Sequence, residues 1–395
     1  MTDEQWLHVS CLPVERAADG RELHAVQACR AGEVVATARF WVPAGSAVPA
    51  RATARTAVLA FLPLAMKLGL GLRAESIDAL SLAGLREWSE VMAAWHQPLL
   101  KPVRIEALHA SRVPALRAVE KPRALMAFSG GVDSCHTLWR HSARRGVSAL
   151  QVAAGLLVQG MDIPLDDSEA FVHAERRSRD VLLAHGAEVL TVATDLRELE
   201  RRFELDWELL THGIVLAACL SLFEHAFDVV LVASTYPAHD LQFPWGSNPV
   251  TDGLLGGSVP FLHDGVASNK LRKVSDIAAD PVITAQLRVC WQGERKGDNC
   301  GQCFKCLTTQ ASLWLAGVAR PAAFDRPACV SDLRRLPIKN AVNHRLVADI
   351  RAAAVAAGRS DVAQALAAPL RWSKWRRRQL RSMLLRLLTA GLVRR

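Results

Sequence analysis

The pattern of apolar positions changes about a third of the way along the chain. Before residue 120, residues 22–28 and 33–42 alternate as paired strands around an Arg30-Ala31-Gly32 turn. Residues 55–70 and 82–96 repeat at helical spacing, and 102–108 reads as a closing strand. Val113-Pro114-Ala115 and Lys121-Pro122 then mark a boundary. Beyond it, short apolar runs at 124–128, 149–157, 188–193 and 228–234 read as strands. A helix running to about residue 145 and helices over 168–185, 196–204 and 207–225 separate them. This alternation predicts an α/β fold with a parallel, doubly wound sheet. A loop rich in Gly, Pro and Asp, 236–266, follows the fourth strand, where such sheets carry active-site elements. The chain past the last cysteine cluster reads as short helices. Three domains are expected: an α+β domain over 1–118, the α/β domain over 119–310, and a helical region over 311–395.

Composition narrows the setting. Half of the 395 residues are hydrophobic, enough for a sizeable core without disulfide staples. The longest apolar run, 57–72, is broken by Pro63 and Lys67 and reads as a buried helix rather than a membrane span. The first residues carry no basic segment leading into an apolar stretch, which predicts a cytoplasmic, reducing setting. The nine cysteines are then not a disulfide framework. The net charge of +9 is concentrated in residues 371–395, which hold nine Lys and Arg and no acid. The rest balances 39 bases against 39 acids, so charge gives no support to a nucleic-acid surface on the body. In the tail, bases alternate with Trp372, Trp375, Leu380, Leu384, Leu387 and Leu388 at helical spacing. That pattern suits docking on the body or binding an acidic partner, such as a carrier protein or RNA, ahead of an anionic membrane surface.

The candidate chemistry begins at Ser129-Gly130-Gly131-Val132-Asp133-Ser134, which follows an apolar strand and opens a helix. Two glycines let the backbone turn sharply and bring amides to an anion. The helix N-terminus adds partial positive charge, and Ser129 and Ser134 add hydroxyl donors. Asp133 would repel a phosphate alone and makes sense as a ligand to Mg²⁺ that bridges to phosphate oxygens. The string lacks the Gly-Lys-Ser/Thr end of a Walker loop and the glycine spacing of a dinucleotide fingerprint. Cys290, Cys300, Cys303 and Cys306 form a second constellation, C-x9-C-x2-C-x2-C. Four thiolates with two short steps and a Gly between them suit a closed, tetrahedral, structural Zn²⁺, with an iron–sulfur cluster as the alternative.

Ser-Gly-Gly-Val-Asp-Ser resembles the PP-loop of the N-type ATP pyrophosphatases. These include the synthetases for GMP, NAD, asparagine and argininosuccinate, and the tRNA thiolases. The resemblance implies a HUP-type fold, like that of the adenine nucleotide alpha hydrolases. It also implies ATP cleavage between the α- and β-phosphates, with Ser129, Gly130, Gly131, Val132, Asp133 and Ser134 gripping the leaving pyrophosphate. A PP-loop followed by the four cysteines is similar to the 7-cyano-7-deazaguanine synthase family. There, Leu271-Arg272-Lys273-Val274-Ser275-Asp276-Ile277 matches a segment whose lysine lies near the ATP phosphates, which assigns Lys273. The likeness covers about residues 123–310. The added ends, and Gln159-Gly160-Met161-Asp162 in place of that family's Asp-Tyr-Gly-Gln-like signature, leave the substrate open.

Weaker candidates are His239, Asp240, His263 and Asp264 in or beside the long loop, Ser234 and Thr235 at a strand end, and Arg288 before the first cluster cysteine. The resulting expectation is an ATP- and Mg²⁺-dependent enzyme that adenylates a carbonyl or carboxylate oxygen. Ammonia or an amine then attacks to form a C–N bond. Sulfur transfer using Cys135 or Cys219, and a non-catalytic nucleotide-binding adaptor, are the alternatives.

Overall fold

A computed structural model describes residues 3–111, 121–142 and 149–372. The expected boundary at 113–115 and the tail beyond residue 372 lie outside the described residues. The chain divides into two compact units, Met1–Ala267 and Ser268–Arg395.

The first unit is α/β, built on one 11-stranded mixed sheet. Its strands are β1 (Trp6–Cys11), β2 (Glu15–Arg16), β3 (Glu22–Arg30), β4 (Glu33–Val42), β5 (Gly71–Asp78), β6 (Ile105–Ser111), β7 (Arg123–Ala127), β8 (Gln151–Gln159), β9 (Glu188–Thr194), β10 (Val229–Ala233) and β11 (Phe261–Asp264). They lie in the order β11-β10-β7-β8-β9-β4-β3-β1-β5-β6, with β2 paired to β3. From β11 to β9 every pairing is parallel. β4 then runs antiparallel to β9 and β3, and β3 antiparallel to β1. β1, β5 and β6 are parallel again.

The helices of this unit are α1 (Ala54–Leu68), α2 (Ala79–Trp95), α3 (Val132–Ser142), α4 (Ser168–Ala184), α5 (Leu196–Arg202) and α6 (His212–Ser221). α1 shows how local signals set an element. Thr53 and Thr56 form a reciprocal capping box at its start, and Gly69, at φ 65°, closes its end with its amide on Ala65 and Met66. It buries residues on all sides, as a core helix does. Helices cover both faces of the parallel strands. Ala154 and Leu156 of β8 share a core with Ile214 and Val215 of α6. Leu157, one residue on and facing the other way, packs with Ala170 and Ala174 of α4.

The compact units do not follow the expected divisions at residues 118 and 310. β4 pairs with β9 through Phe40↔Thr194 and Trp41↔Ala193. The Asp195 carboxylate accepts from the Arg39 amide at 2.7 Å and from Arg39 Nη1 at 3.0 Å. Phe40, Phe61, Leu125, Leu156 and Ile214 belong to one core cluster, so sheet and core both run across residue 118. Residue 310 falls inside a helix. The N-terminal part also grips the long loop: a Cβ on Gly84 of α2 would lie 2.4 Å from the Leu254 carbonyl oxygen, and one on Gly257 1.9 Å from Ser81 Oγ. Only glycine permits that approach.

The second unit contains α7 (Lys270–Ile277), α8 (Pro281–Gln286), α9 (Phe304–Leu315), α10 (Ala341–Ala356) and α11 (Ser360–Trp372). Leu307, Ala311, Leu333, Val347, Ile350 and Leu366 form its core, joining α9, α10, α11 and a 3₁₀ turn at Val330–Arg335. Among the described residues of the chain, no helix is long and apolar enough to cross a membrane.

Candidate functional site

In the first unit the chain runs through β7, β8 and β9 to one side, then returns to set β10 and β11 on the other side of β7. The carboxyl ends of β7 and β10 flank this reversal, the place where open α/β sheets bind ligands. The Ser129–Ser134 loop leaves β7 there and enters α3.

The loop is braced by its own hydroxyls. Gly130 holds φ 71°, a left-handed conformation that favours glycine. The Gly131 amide donates to Ser129 Oγ at 3.3 Å, and Ser134 Oγ donates to the Gly131 carbonyl at 3.2 Å. The two serine hydroxyls stand 3.3 Å apart, and the Ser129 amide reaches Ser134 Oγ at 3.4 Å. Ser129 is exposed, Gly131 and Asp133 are half-buried, and Val132 and Ser134 are buried. The first amides of α3 have no intrahelical acceptors, so this edge presents N–H groups and a positive dipole end. Asp133, in the first turn, is the acid of the loop.

The orientation of α3 rests on Asp264, at the end of β11. Its carboxylate accepts from Thr137 Oγ1 at 3.0 Å and Arg140 Nη2 at 2.9 Å, and lies 3.2 Å from His141 Nε2. Burial pushes this carboxyl up, but the His141 hydrogen bond and charge, the Arg140 guanidinium and the Thr137 hydroxyl outweigh burial and hold it below its ordinary range. Asp264 therefore clamps the helix behind the loop. A carboxyl lowered in the folded state stabilises the fold above its unfolded value of 3.8, and that stability is lost as pH falls further through the folded value. Asp264→Asn is expected to cost about 1–3 kcal/mol at neutral pH and to flatten the acid limb of stability below about pH 4. Urea unfolding followed from pH 7 to pH 3 would test this; an unchanged acid limb would remove the clamp from the account.

The weaker sequence candidates separate on inspection. Ser234 is fully buried; its amide donates to the Asp264 carbonyl and its hydroxyl to the Tyr236 carbonyl, so it shapes the turn. Thr235 and His239 are exposed, and Asp240 sits in a 3₁₀ turn. His263 lies with Nδ1 2.7 Å from Asp252 Oδ2, a buried carboxylate that also accepts from Ser247 Oγ at 2.6 Å and the Asn248 amide at 3.2 Å. That network folds the long loop. Sequence reading missed it, because neither Asp252 nor Ser247 carries a local signal. It also missed an aromatic run beside the end of β10: Tyr236 meets Trp245 at 5.3 Å, Trp245 meets His212 at 5.4 Å, and His212 meets Trp207 at 5.8 Å.

Lys273 and the cysteines belong to the second unit. Lys273 is 1% exposed in α7, so its ammonium is not a solvated surface charge. The four Sγ atoms of Cys290, Cys300, Cys303 and Cys306 lie within 4.8 Å of one another, a set that could hold a metal ion such as zinc. Cys303 to Cys290 is 3.7 Å and Cys300 to Cys306 is 3.9 Å. Four sulfurs at about 2.3 Å around a tetrahedral Zn²⁺ stand about 3.8 Å apart, so the spacing fits. A four-iron cluster spreads its thiolates wider.

Amides of Gln292, Cys303 and Cys306 donate to Cys290, Cys300 and Cys303 sulfurs at 3.3–3.5 Å, orienting the lone pairs. Hydrogen bonds from Cys303 and Cys306 hold the Cys290 thiol far below its usual value. The same contacts push Cys303 up to about 11 and Cys306 up further. A cation among them removes that competition, since every sulfur then ionises. Buried Asn299, also missed in the sequence, ties the arms together. It accepts from the Val289 and Cys290 amides and donates to the Leu287 and Ala323 carbonyls.

The chain matches no family model, no curated protein and no solved structure.

Proposed function

We propose that the protein is an ATP-dependent adenylating enzyme of the N-type pyrophosphatase kind. On this reading the parallel half of the sheet is doubly wound in the HUP manner, and the enzyme is similar to 7-cyano-7-deazaguanine synthase in its chemistry. The observation that carries it is the Ser129–Ser134 loop: a Ser-Gly-Gly-Val-Asp-Ser string, turned by Gly130 at φ 71°, opening α3 at the sheet's reversal point.

Each residue then has a task. The loop amides and the hydroxyls of Ser129 and Ser134 hold the departing β,γ-pyrophosphate. Asp133 would hold Mg²⁺, which supplies neutralisation of the phosphate charge. A carbonyl or carboxylate oxygen of the substrate attacks the α-phosphorus, the bond to the bridging oxygen breaks, and pyrophosphate leaves. Ammonia or an amine displaces AMP and gives a C–N bond. The cysteine site, closed by four protein ligands, keeps no open position for substrate and is structural.

Sulfur transfer gains no support from the two thiols named for it. Cys135 and Cys219 are both fully buried, and burial pushes the Cys219 thiol well up, away from a nucleophilic thiolate. The test is product identity. Full-length protein incubated with Mg-ATP, ammonia and a panel of carboxylates and heterocyclic carbonyl compounds should release AMP and pyrophosphate in equal amounts. ADP with phosphate, or no nucleotide binding by calorimetry, would overturn the assignment.

A further inference from the structure

The division of the chain at residue 267 changes the reading of its charge. Residues 1–267 carry 24 Lys and Arg against 31 Asp and Glu, whereas residues 268–372 carry 16 against 8. Residues 373–395 add eight more bases and no acid. The neutral body expected from the sequence is the sum of an acidic unit and a strongly basic one. A basic unit of this size attracts a polyanion.

The cysteine knuckle concentrates the features of such a surface. Trp291, directly after the first cluster cysteine, is 40% exposed. The Lys305 ammonium stands 5.8 Å from the centre of its ring. Arg295 is exposed on the same knuckle and makes only a loose pair with Asp298, at 3.4 Å. Arg326 packs onto the knuckle: a Cβ on Gly301 would lie 2.5 Å from the Arg326 carbonyl oxygen, and its exposed guanidinium donates to Gln302 Oε1. An exposed indole with an ammonium 5.8 Å from its ring, on a cysteine-fixed knuckle that also carries Arg295 and packs against Arg326, offers a stacking face and phosphate contacts on one backbone.

We propose that the basic unit docks single-stranded nucleic acid, with one base stacked on Trp291 and phosphates held by Lys305, Arg295 and Arg326. The indole distinguishes this occupant from an acidic protein, since Lys and Arg alone would serve a carboxylate partner. An anionic bilayer fits less well. Trp291 and Val355 are the exposed large apolar side chains among the described residues of this unit, too few to enter lipid. Unpaired bases fit best, because a duplex keeps its base faces stacked.

The experiment uses the full chain and a fluorescein-labelled oligouridylate of roughly 15 nucleotides, within the span single-strand sites cover. Anisotropy should show binding that weakens steeply between low and moderate salt. Trp291→Ala should weaken it by about tenfold or more. Lys305→Ala and Arg326→Ala should each weaken it and lower the salt slope by about one. Zinc content and circular dichroism of each variant confirm an intact knuckle, and Trp291→Phe, which keeps a stacking face, should restore most of the affinity. No binding at low salt overturns the proposal. So does equal affinity for a duplex or for polyglutamate, binding to phosphatidylserine vesicles in place of RNA, or indifference to Trp291→Ala. Adenylation by the first unit is read separately, through AMP release without RNA, so either result stands whatever the other gives.

Discussion

Replacing Asp133 with Asn is expected to lower pyrophosphate release from ATP by about 10²–10³-fold while the protein stays folded. The two effects are separable by size. Losing one charge from the first turn of α3 costs at most about 1 kcal/mol of favourable interaction with the helix dipole. Losing the charge that holds a cation against the phosphates costs about 3–4 kcal/mol in the transition state, since each factor of ten is 1.36 kcal/mol. Asn keeps the size of the side chain and suits a helix start. A thermal melt close to that of the parent, with product release nearly abolished, is therefore the expected pair of results. The loop around Asp133 is braced by the hydroxyls of Ser129 and Ser134, which the substitution leaves in place. Pyrophosphate release that is unaffected by the substitution would sink both the role of Asp133 and the reading of the loop.

How much of this was legible beforehand follows from the range of the interactions involved. The loop and the cysteines were visible because their chemistry is local: six consecutive residues in one case, seventeen positions in the other. The strands β7 to β10 were visible because buried parallel strands are short apolar runs bounded by polar residues. β5 and β11 were not. β5 begins two residues after Gly69 ends α1, inside a continuous apolar stretch that reads as one helix. β11 is four residues long, with Leu262 exposed, too short to show a period.

The roles of Asp264, Asp252 and Asn299 were hidden for another reason. Asp264 serves residues more than 120 positions away, and no spacing rule reaches that far. The partition of charge was hidden too, because the unit boundary falls in the five-residue connection between β11 and α7 rather than at the Pro-marked segment near residue 118. A balance of 39 against 39 conceals two units of opposite sign, and only the contacts reveal where to divide it.

Removal of the metal is expected to have the largest effect on stability. Purified full-length protein should contain one zinc per chain. Cys303→Ser should abolish it, and a strong chelator should strip it with loss of the helical signal from the second unit. The expectation rests on where the cluster sits. Cys303 caps α9 through its sulfur on the Cys306 amide, and α9 carries Leu307 and Ala311 into the core shared with α10 and α11. Asn299 fixes the other arm to Leu287 and Ala323. Without a cation, four sulfurs within 4.8 Å of one another cannot all ionise, and the arms lose every tie that the metal–sulfur bonds would supply, keeping the hydrogen bonds of Asn299. Binding energies of structural zinc in small domains run to about 10–16 kcal/mol, as large as the whole stability of a typical domain, about 5–15 kcal/mol. Loss of the metal should therefore remove the cooperative transition of the second unit rather than shift it by a few degrees. Protons compete for the thiolates, so zinc should be released as pH falls, and the same transition should vanish in mild acid. A metal-free preparation that melts like the zinc-bound one would show that the thiols merely pack together, and would return the knuckle to an ordinary buried core.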